Sequence, residues 1–385
     1  MAESGTQVEQ VERVTTLELF FDLVFVFTIT QLTSVLVLHP NWRGLAQVAL
    51  MLGVIWWMYD GYAWLTNSVR PDRTERRLAL FGGMAAFLVL ALGIPHAFTG
   101  SGLTFGLAYL AIVLVHTGLF ARSTSATVIQ AIVGLAPFNL VSAALILAGG
   151  IAGGTAQYVL WTAAFAFEWV TPRLTEISDF EVNAAHFVER HGLVVIVAIG
   201  ESVVAIGIGA AGLAVNGELV AVAVIGLMLS ACLWWVYFAG EESRAEDALA
   251  GAPARRRPRT AVDAFGYWHL PILLGIIAIA FALKKATGHA FDELDLAPAI
   301  GLGGGVAVYL VGDVFFRRTL GLGSGRLRAA AAVLALATIP IGEAGVAIAQ
   351  IAALVVVLAG ALLLEAQASS SLYRPRVRSA IESQE

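Results

Sequence analysis

The chain has 385 residues, of which 58% are hydrophobic and only 13% are charged, and its formal net charge is -5. A soluble domain usually carries about 25% charged residues. The mean hydropathy of +0.81 therefore excludes a water-soluble fold and predicts an all-α, polytopic membrane protein. The single cysteine, Cys232, excludes disulfides and thiolate metal sites.

Twelve apolar stretches predict about twelve transmembrane helices, because a hydrocarbon core about 30 Å thick is spanned by about twenty helical residues. In chain order they are Leu17–Leu38, Ala46–Asn67, Leu78–Phe98, Leu103–Ala121, Val128–Ala148, Ile151–Val170, Leu193–Ala211, Leu219–Phe238, Trp268–Leu283, Ala297–Phe316, Ala329–Glu343 and Ala347–Leu364. Pro137 and Pro340 lie in the fifth and eleventh stretches, where a kink is expected.

The distribution of positive charge predicts how the chain is oriented. With loops assigned alternately to two sides, twenty of the 23 arginines and lysines fall on the amino-terminal side, and only Arg43, Lys284 and Lys285 fall on the other. Positive charge collects on the cytoplasmic side, so both termini are predicted to be cytoplasmic in a bacterial inner membrane.

Three short motifs occur twice in the same order and indicate an internal duplication. They are Val11-Glu12-Arg13 and Val188-Glu189-Arg190 before the first and seventh spans, Trp56-Trp57-Met58-Tyr59 and Trp234-Trp235-Val236-Tyr237 at the ends of the second and eighth, and Phe120-Ala121-Arg122-Ser123-Thr124 and Phe315-Phe316-Arg317-Arg318-Thr319 closing the fourth and tenth. Two parallel six-helix repeats follow from this pattern, with a pathway expected at their interface. The alternative is that aromatic belts and cytoplasmic arginines recur in every membrane protein.

The duplication divides the chain into five segments. We expect a cytoplasmic amino-terminal segment over 1–16, a first six-helix repeat over 17–173 and a cytoplasmic interfacial segment over 174–192. A second six-helix repeat over 193–364 and a flexible cytoplasmic tail over 365–385 complete the chain.

Two carboxylates share one face of the first span. Glu18 and Asp22 are four residues apart, which places them one helical turn from each other. They could share a proton, bind a cation, or pair with Arg13 or Arg190; the alternative is a cluster that extends into the headgroups.

Glu201 lies near the centre of the seventh span, where its short side chain cannot reach the headgroups. An acid at that depth must be protonated, paired or next to a hydrated cavity, so Glu201 and the adjacent Ser202 are candidates for proton or cation coupling. The alternative is a neutral Glu201 that bonds across helices. Gly200, Gly207 and Gly209 are expected to let another helix approach closely.

Further polar residues lie toward the cytoplasmic ends of the spans. Asp60 and Asp313 are candidates for a vestibule shared with Glu18 and Asp22. Just before the seventh span, His186, Glu189, Arg190 and His191 form a polar motif. His186 and Glu189 could belong to a metal site, but the spacing matches no established one, so neither a metal nor a cofactor is predicted.

Several classes of function are disfavoured by what the sequence lacks. It contains no Walker loop, no dinucleotide glycine motif and no nucleophile elbow in a suitable context, so enzymatic activity and ATP-driven pumping are not expected. The arginines of 255–259 are interpreted as a topology determinant rather than a nucleic-acid site. The expected partners are the lipid bilayer and a small solute or ion.

The sequence resembles the bacterial low temperature requirement protein A (LtrA) family in two segments. One is Leu17-Glu18-Leu19-Phe20-Phe21-Asp22-Leu23-Val24-Phe25-Val26-Phe27; the other is His186-Phe187-Val188-Glu189-Arg190-His191-Gly192, continuing to Ile199-Gly200-Glu201-Ser202-Val203-Val204. The resemblance implies a multi-span bacterial inner-membrane protein. Arg13 with Phe21-Asp22 is also similar to the Arg…Phe-Ser-Asp motif of potassium channels built from two six-span repeats, although Phe21 replaces the serine and the seventh span has Gly200-Glu201.

The sequence favours a secondary transporter or proton-coupled permease, with Glu201, Asp22 and Glu18 as the groups that bind protons or cations. The first alternative is an ion channel lined by the first and seventh spans. The second alternative is a membrane sensor or membrane-embedded enzyme that uses His186 and His191.

Overall fold

The computed structural model describes residues 14–382 except 70, 124 and 179, and the side chains among them up to residue 368. Within these residues the fold is all-α, as predicted. The helices are α1 (Thr16–Leu38), α2 (Trp42–Ser68), α3 (Thr74–Gly93), α4 (Gly102–Phe120), α5 (Ala126–Ala152), α6 (Gly154–Leu174), α7 (Ala184–Gly209), α8 (Gly217–Phe238), α9 (Glu241–Gly251), α10 (Arg257–Ala261), α11 (His269–Ala286), α12 (Leu296–Thr319), α13 (Arg326–Ala337), α14 (Ile339–Glu343) and α15 (Ala347–Glu382). A π-helix, Val262–Tyr267, connects α10 to α11.

Ten stretches of the described chain are long and apolar enough to cross a membrane. They are Thr16–Leu38, Trp42–Ser68, Thr74–His96, Gly102–Phe120, Ala126–Ala152, Ala184–Gly209, Gly217–Gly251, Arg257–Ala286, Leu296–Thr319 and Ala347–Ala368. Each of them overlaps one of the twelve predicted spans. The chain is therefore a multi-pass membrane protein.

The remaining two predicted spans correspond to α6 and to the pair α13–α14. Polar residues such as Gln157 and Glu168 lower the hydropathy of α6. The eleventh predicted span is divided at Thr338 into helices of 12 and 5 residues, and Pro340 lies in the first turn of the second. Neither helix is long enough alone to cross a membrane, and the backbone of Thr338 between them stays in the helical region, so the helical hydrogen bonding is interrupted two residues before Pro340, where a kink was expected.

Both of these segments nonetheless run between the two ends of the bundle, here called the Glu18 end and the Asn41 end after the starts of α1 and α2. In α6, Gln157 bonds to the carbonyl of Ala97 at the Asn41 end, and the carbonyl of Trp169 accepts from Tyr267 toward the Glu18 end. The α13–α14 pair begins beside Asp313 at the Glu18 end, and its Gly342 carbonyl accepts from the α11–α12 connection at the Asn41 end.

The helices before and after residue 180 have matching neighbours. In the first half, α1 packs against α2 and α3, α3 against α4, α4 against α5, α5 against α6, and α6 returns to α2. In the second half, α7 packs against α8 and α11, α11 against α12, α12 against α13, α13 and α14 against α15, and α15 returns to α8. The halves meet where α1 and α2 pack against α7 and α11, and this contact is called the seam.

Polar side chains at the helix starts determine where the seam helices begin. Thr15 and Glu18 form a capping box at the start of α1, in which each side chain bonds to the backbone N–H of the other residue. Asn183 caps α7, and its own backbone N–H donates to Asn67 at the end of α2. These caps hold the start of α7 against the end of α2, so they position the polar residues described next.

Candidate functional site: a polar seam between the two halves

Three pairs of side chains join α1 to α7 across the seam. The distances are 2.9 Å for Glu18 with His186, 2.6 Å for Asp22 with Arg190, and 2.5 Å for Thr30 with Glu201. Because each step along α1 is matched by a step in the same direction along α7, the two helices run parallel. The first helix of each half, α1 or α7, therefore enters the bundle from the same end.

Asp22 forms a buried charge pair with Arg190. The guanidinium donates to Asp22 Oδ2 at 2.6 Å and to the backbone carbonyl of Glu18 at 2.8 Å, and the Tyr59 hydroxyl donates to Asp22 Oδ1 at 2.6 Å. The Arg190 guanidinium also lies 5.6 Å from the ring centroids of Phe21 and Tyr59. Of the possibilities that the sequence left open for Asp22, pairing with Arg190 is the one observed, whereas Arg13 lies outside the described residues.

Glu18 is buried inside the bundle and does not extend to the headgroup region. Its side chain is only 2% exposed and accepts from the Thr15 hydroxyl at 2.8 Å, with His186 Nε2 at 2.9 Å. The Asn67 amide lies 3.4 Å from His186 Nδ1, where its N–H group donates to that nitrogen. His186 Nε2 therefore carries the hydrogen that it donates to Glu18, which accounts for this contact with a neutral imidazole.

Asp60 and His191 form a second bond between the halves, from α2 to α7. His191 Nε2 lies 3.0 Å from Asp60 Oδ1, and His191 Nδ1 lies 2.8 Å from the carbonyl of Phe187. The Trp64 indole donates to Asp60 Oδ2 at 3.2 Å. The His191 ring thus connects Asp60 on α2 to the backbone of α7.

The π-helix brings a third element to the same place. The indole N–H of Trp56 on α2 donates to the carbonyl of Gly266 at 2.7 Å, so it bonds the first half to the π-helix of the second. His269 follows this π-helix, with its ring centroid 5.4 Å from that of His191 and its Nε2 2.8 Å from the Tyr237 hydroxyl. Single-turn π-helices are frequent at functional sites.

Glu201 lies deeper in the seam than the other acids. Its side chain is 1% exposed, and Thr30 Oγ1 donates to it at 2.5 Å. Glu201 is eight residues from the end of α7, which corresponds to about 12 Å along the helix. The adjacent Ser202 hydroxyl is buried and has no hydrogen-bond partner among the described residues. The Thr30 bond fits a coupling role for Glu201 and also the alternative of packing across helices.

Of the three glycines of α7 predicted to let another helix approach closely, Gly209 is the one where this occurs, and a Cβ added at Gly207 would meet no atom within 4 Å. A Cβ added at Gly200 would meet no atom within 4 Å, whereas at Gly209 it would lie 2.8 Å from the carbonyl oxygen of Lys284 on α11. The close contact therefore lies two turns further along α7. Helical phase places Gly200 on the side of α7 that faces away from α11.

The four acids predicted to share a vestibule divide between two sites. Asp60 lies at the seam with Glu18 and Asp22, but Asp313 belongs to a separate ionic cluster of the second half. In that cluster Arg328 bonds to Asp313 at 2.7 Å and to Glu365 at 3.1 Å, and Arg317 bonds to Glu241 at 2.5 Å. The members lie on α9, α12, α13 and α15, so the cluster connects four helices within one half.

Glu189 does not pair with His186. Its Oε2 accepts from the backbone N–H of Val14 at 3.2 Å, which ties the segment before α1 to α7. Among the described residues no group of three or more histidine, cysteine, aspartate or glutamate side chains could hold a metal ion.

Sequence reasoning missed several partners that complete these sites. Tyr59 stood in the repeated aromatic motif but had no role, Thr30 was not noted, and Arg328 was counted only as a topology charge. Glu241 was not singled out, because an acid in a loop is usually exposed to solvent and the sequence does not show which side chains contact it. One further buried acid, Glu168, accepts from Tyr109 and, at 2.5 Å, from Ser142, all within the first half.

Comparisons with known proteins place these features in a family. The model of the bacterial low temperature requirement A protein (LtrA) family matches residues 13–366. An uncharacterized protein of Rhizobium meliloti (strain 1021) is 28% identical over 315 residues, which covers 78% of this chain and 76% of that protein. No solved structure matches the chain.

Proposed function

The chain belongs to the bacterial low temperature requirement A (LtrA) family, and from this premise we propose that it is a proton-coupled secondary transporter. In this proposal twelve membrane-crossing segments form two parallel six-helix repeats, and the seam between them contains the coupling groups. Transport would proceed by rocking of one half against the other. The sequence duplication, the matching helix neighbours and the chemistry of the seam support it.

Equivalent hydrogen bonds in the two halves support the repeat arrangement. Gln157 is the fourth residue of α6 and donates to the carbonyl of Ala97, at the end of the 3-10 turn that follows α3. Gln350 is the fourth residue of α15 and donates to the carbonyl of Ala299 in the first turn of α12, so both bonds reach the connection between the third and fourth helices of a half or the helix just after it. These bonds involve neither the aromatic belts nor the arginines that could explain the sequence motifs by chance.

A second equivalence links the fourth helix of each half to its second helix. The Tyr109 hydroxyl of α4, whose hydrogen is donated to Glu168, also lies 3.3 Å from the carbonyl oxygen of Val54, and Tyr309 of α12 donates to the carbonyl of Leu233 at 2.8 Å. Both carbonyls lie just before the repeated tryptophan pairs of α2 and α8. Under the proposal, α4 and α12 occupy the same place in their halves, as do α2 and α8.

The observation that carries the transport proposal is the position of Glu201. It is a buried acid between the first helices of the two halves, and the neutral hydroxyl of Thr30 donates to it. An ionised carboxylate is costly at this depth unless a cation or a proton neutralises it. Movement of α1 against α7 would change access to this group, which is what coupling requires.

The proposal is tested with purified protein in proteoliposomes, with pH and potassium gradients imposed separately and followed by an internal pH dye and a potassium dye. Glu201→Gln keeps the size of the side chain but cannot exchange a proton, so we expect it to abolish proton flux. Glu168→Gln is the matched control, because Glu168 is equally buried but lies within the first half. Proton flux that is the same in the Glu201→Gln variant as in the wild type would refute the assignment.

A further inference from the structure

The line of α7 that meets α1 is covered at the Glu18 end and uncovered toward the Asn41 end. His186 and Arg190, which bond to α1, are only 6% and 1% exposed. Val204 lies about five whole turns beyond His186, and Ile208 lies about five whole turns beyond Arg190, so they continue the same line of the helix. Their side chains are 46% and 44% exposed. Since α1 covers this line at one end only, the two helices separate toward the Asn41 end.

Toward the Asn41 end, α7 packs closely against α11. A Cβ added at Gly209 would lie 2.8 Å from the carbonyl oxygen of Lys284 on α11. On the opposite side of α7, a Cβ added at Gly200 or Gly207 would meet no atom within 4 Å. A groove therefore opens between α1 and α7 on the side away from α11, and Glu201 lies at its inner end.

The side chains that α1 exposes change from apolar to polar at the level of Glu201. After the first turn, the exposed residues in the half of α1 nearer the Glu18 end are Leu19, Phe20 and Leu23. Beyond that half, the partly exposed residues include Thr30, Gln31 and Ser34. Hydroxyl and amide groups are costly against lipid unless they are hydrogen-bonded, and water satisfies them. The change therefore indicates water beside this part of α1.

From these two observations we propose that this structure is the state open toward the Asn41 end, in which a water-filled groove between α1 and α7 brings protons from that end to Glu201. The pairs of Glu18 with His186 and of Asp22 with Arg190 close the seam on the other side. For its role in transport this inference rests on the proposed function.

The carboxylate of Glu201 has a partner when its proton has left. The ammonium group of Lys284 on α11 attracts it, and the Thr30 hydroxyl donates to it. Exchange of the proton with water in the groove thus leaves a charge that α1 and α11 both stabilise.

Water in the groove is measured by the reactivity of single cysteines. A methanethiosulfonate reagent reacts with the thiolate, which forms in water and is suppressed in apolar surroundings. Val203 and Val204 are a matched pair, because their side chains are 45% and 46% exposed but point about 100° apart around α7. Each is replaced by Cys in a Cys232→Ser background, and a membrane-impermeant cationic reagent is added to permeabilised membranes, where it reaches both sides. We expect Val204→Cys to react at least tenfold faster than Val203→Cys.

A second pair tests the wall that α1 contributes. Leu23 and Ser34 lie about three turns apart on one line of α1. We expect Ser34→Cys to react at least tenfold faster than Leu23→Cys, which faces lipid. In sealed vesicles and in intact cells, Val204→Cys should be labelled from the same side as Val215→Cys, which lies in the exposed loop after α7.

Equal labelling rates for Val203→Cys and Val204→Cys would overturn the groove. Labelling of Val204→Cys from the side opposite to Val215→Cys would overturn the direction of access. Proton flux that depends on Glu201, without a difference in labelling, leaves the transport proposal standing and removes this one. Selective labelling of the groove positions without any proton flux does the reverse.

Discussion

The buried pair of Asp22 and Arg190 allows a quantitative test of what holds the two halves together. Replacing Arg190 by Met removes the charge and the two hydrogen bonds that reach Asp22 and the Glu18 carbonyl, and leaves Asp22 with only the Tyr59 hydroxyl. Breaking a buried ion pair from one side costs about 3–5 kcal/mol, because the remaining charge is buried without a counter-charge.

This loss can be converted into a melting temperature. Unfolding entropy is about 2.1 cal/mol/K per residue, so a chain of 385 residues loses about 4–6 °C in Tm for about 3–5 kcal/mol. The double variant Asp22→Leu with Arg190→Met replaces both charges by apolar groups, and such replacements are often neutral. We therefore expect the double variant to melt closer to the wild type than the Arg190→Met variant does.

The assay is thermal unfolding of the purified proteins in one detergent. The wild type, the Asp22→Leu and Arg190→Met single variants and the double variant are measured together as a double-mutant cycle. Arg43→Met is the control, because Arg43 is exposed and bonds only to the Tyr158 hydroxyl among the described residues. It should change Tm by less than about 1 °C, as is usual for surface substitutions. Purely additive effects of the two seam substitutions would show that the pair is not coupled, and would refute the reasoning.

Two further predictions concern packing and orientation. Gly275→Ala should lower the free energy of unfolding by about 1–3 kcal/mol, because the added Cβ would lie 2.5–2.9 Å from atoms of α12; in the same melting assay Gly200→Ala, whose Cβ meets nothing within 4 Å, should be close to neutral. For orientation, cysteines introduced singly into a Cys232→Ser background at Val215 and Ser324, both exposed in loops at opposite ends of the bundle, should react differently with a membrane-impermeant maleimide added to intact cells. We expect labelling at Val215 and none at Ser324, and the reverse pattern would contradict the cytoplasmic placement of the termini.

The helices themselves follow directly from the sequence. Ten of the twelve spans predicted from continuous apolar runs coincide with candidate spans of the structure. In lipid the backbone polar groups must be satisfied within the segment, so an apolar run of this length forms a helix. The sequence did not predict that the eleventh span would be divided at Thr338. Pro340 indicated a kink, but whether a proline bends a helix or ends it depends on the neighbours that satisfy the freed backbone groups.

The polar pairings were predictable only in part. Glu18, Asp22 and Arg190 could be singled out because charged residues in apolar helices are costly, and one of the four possibilities for the acids was pairing with Arg190. The separation of Asp60 from Asp313 depends on which helices are neighbours. The sequence predicts that both acids lie near helix ends on the same side of the membrane, but it does not predict which helices pack together. The contacts of His191 with Asp60 on α2 and with the Phe187 carbonyl one turn away on α7 likewise exist only in the folded geometry.

The seam has two polar levels that differ in kind, and this difference bears on mechanism. At the Glu18 end of the seam, Glu18, Asp22 and Asp60 each have a partner on α7, so these groups can hold the halves together. Glu201 is eight helical residues beyond the Asp22 level on α1, at Thr30, or about 12 Å. Between the two levels α1 presents Phe25 and Ile29, both almost fully buried. The Thr28 hydroxyl in this interval bonds to the carbonyl of Val24 on its own helix. Under the proposed function, separation of α1 from α7 would open a path for a proton between the Glu18 end and Glu201, which is the motion expected of two halves that alternate access.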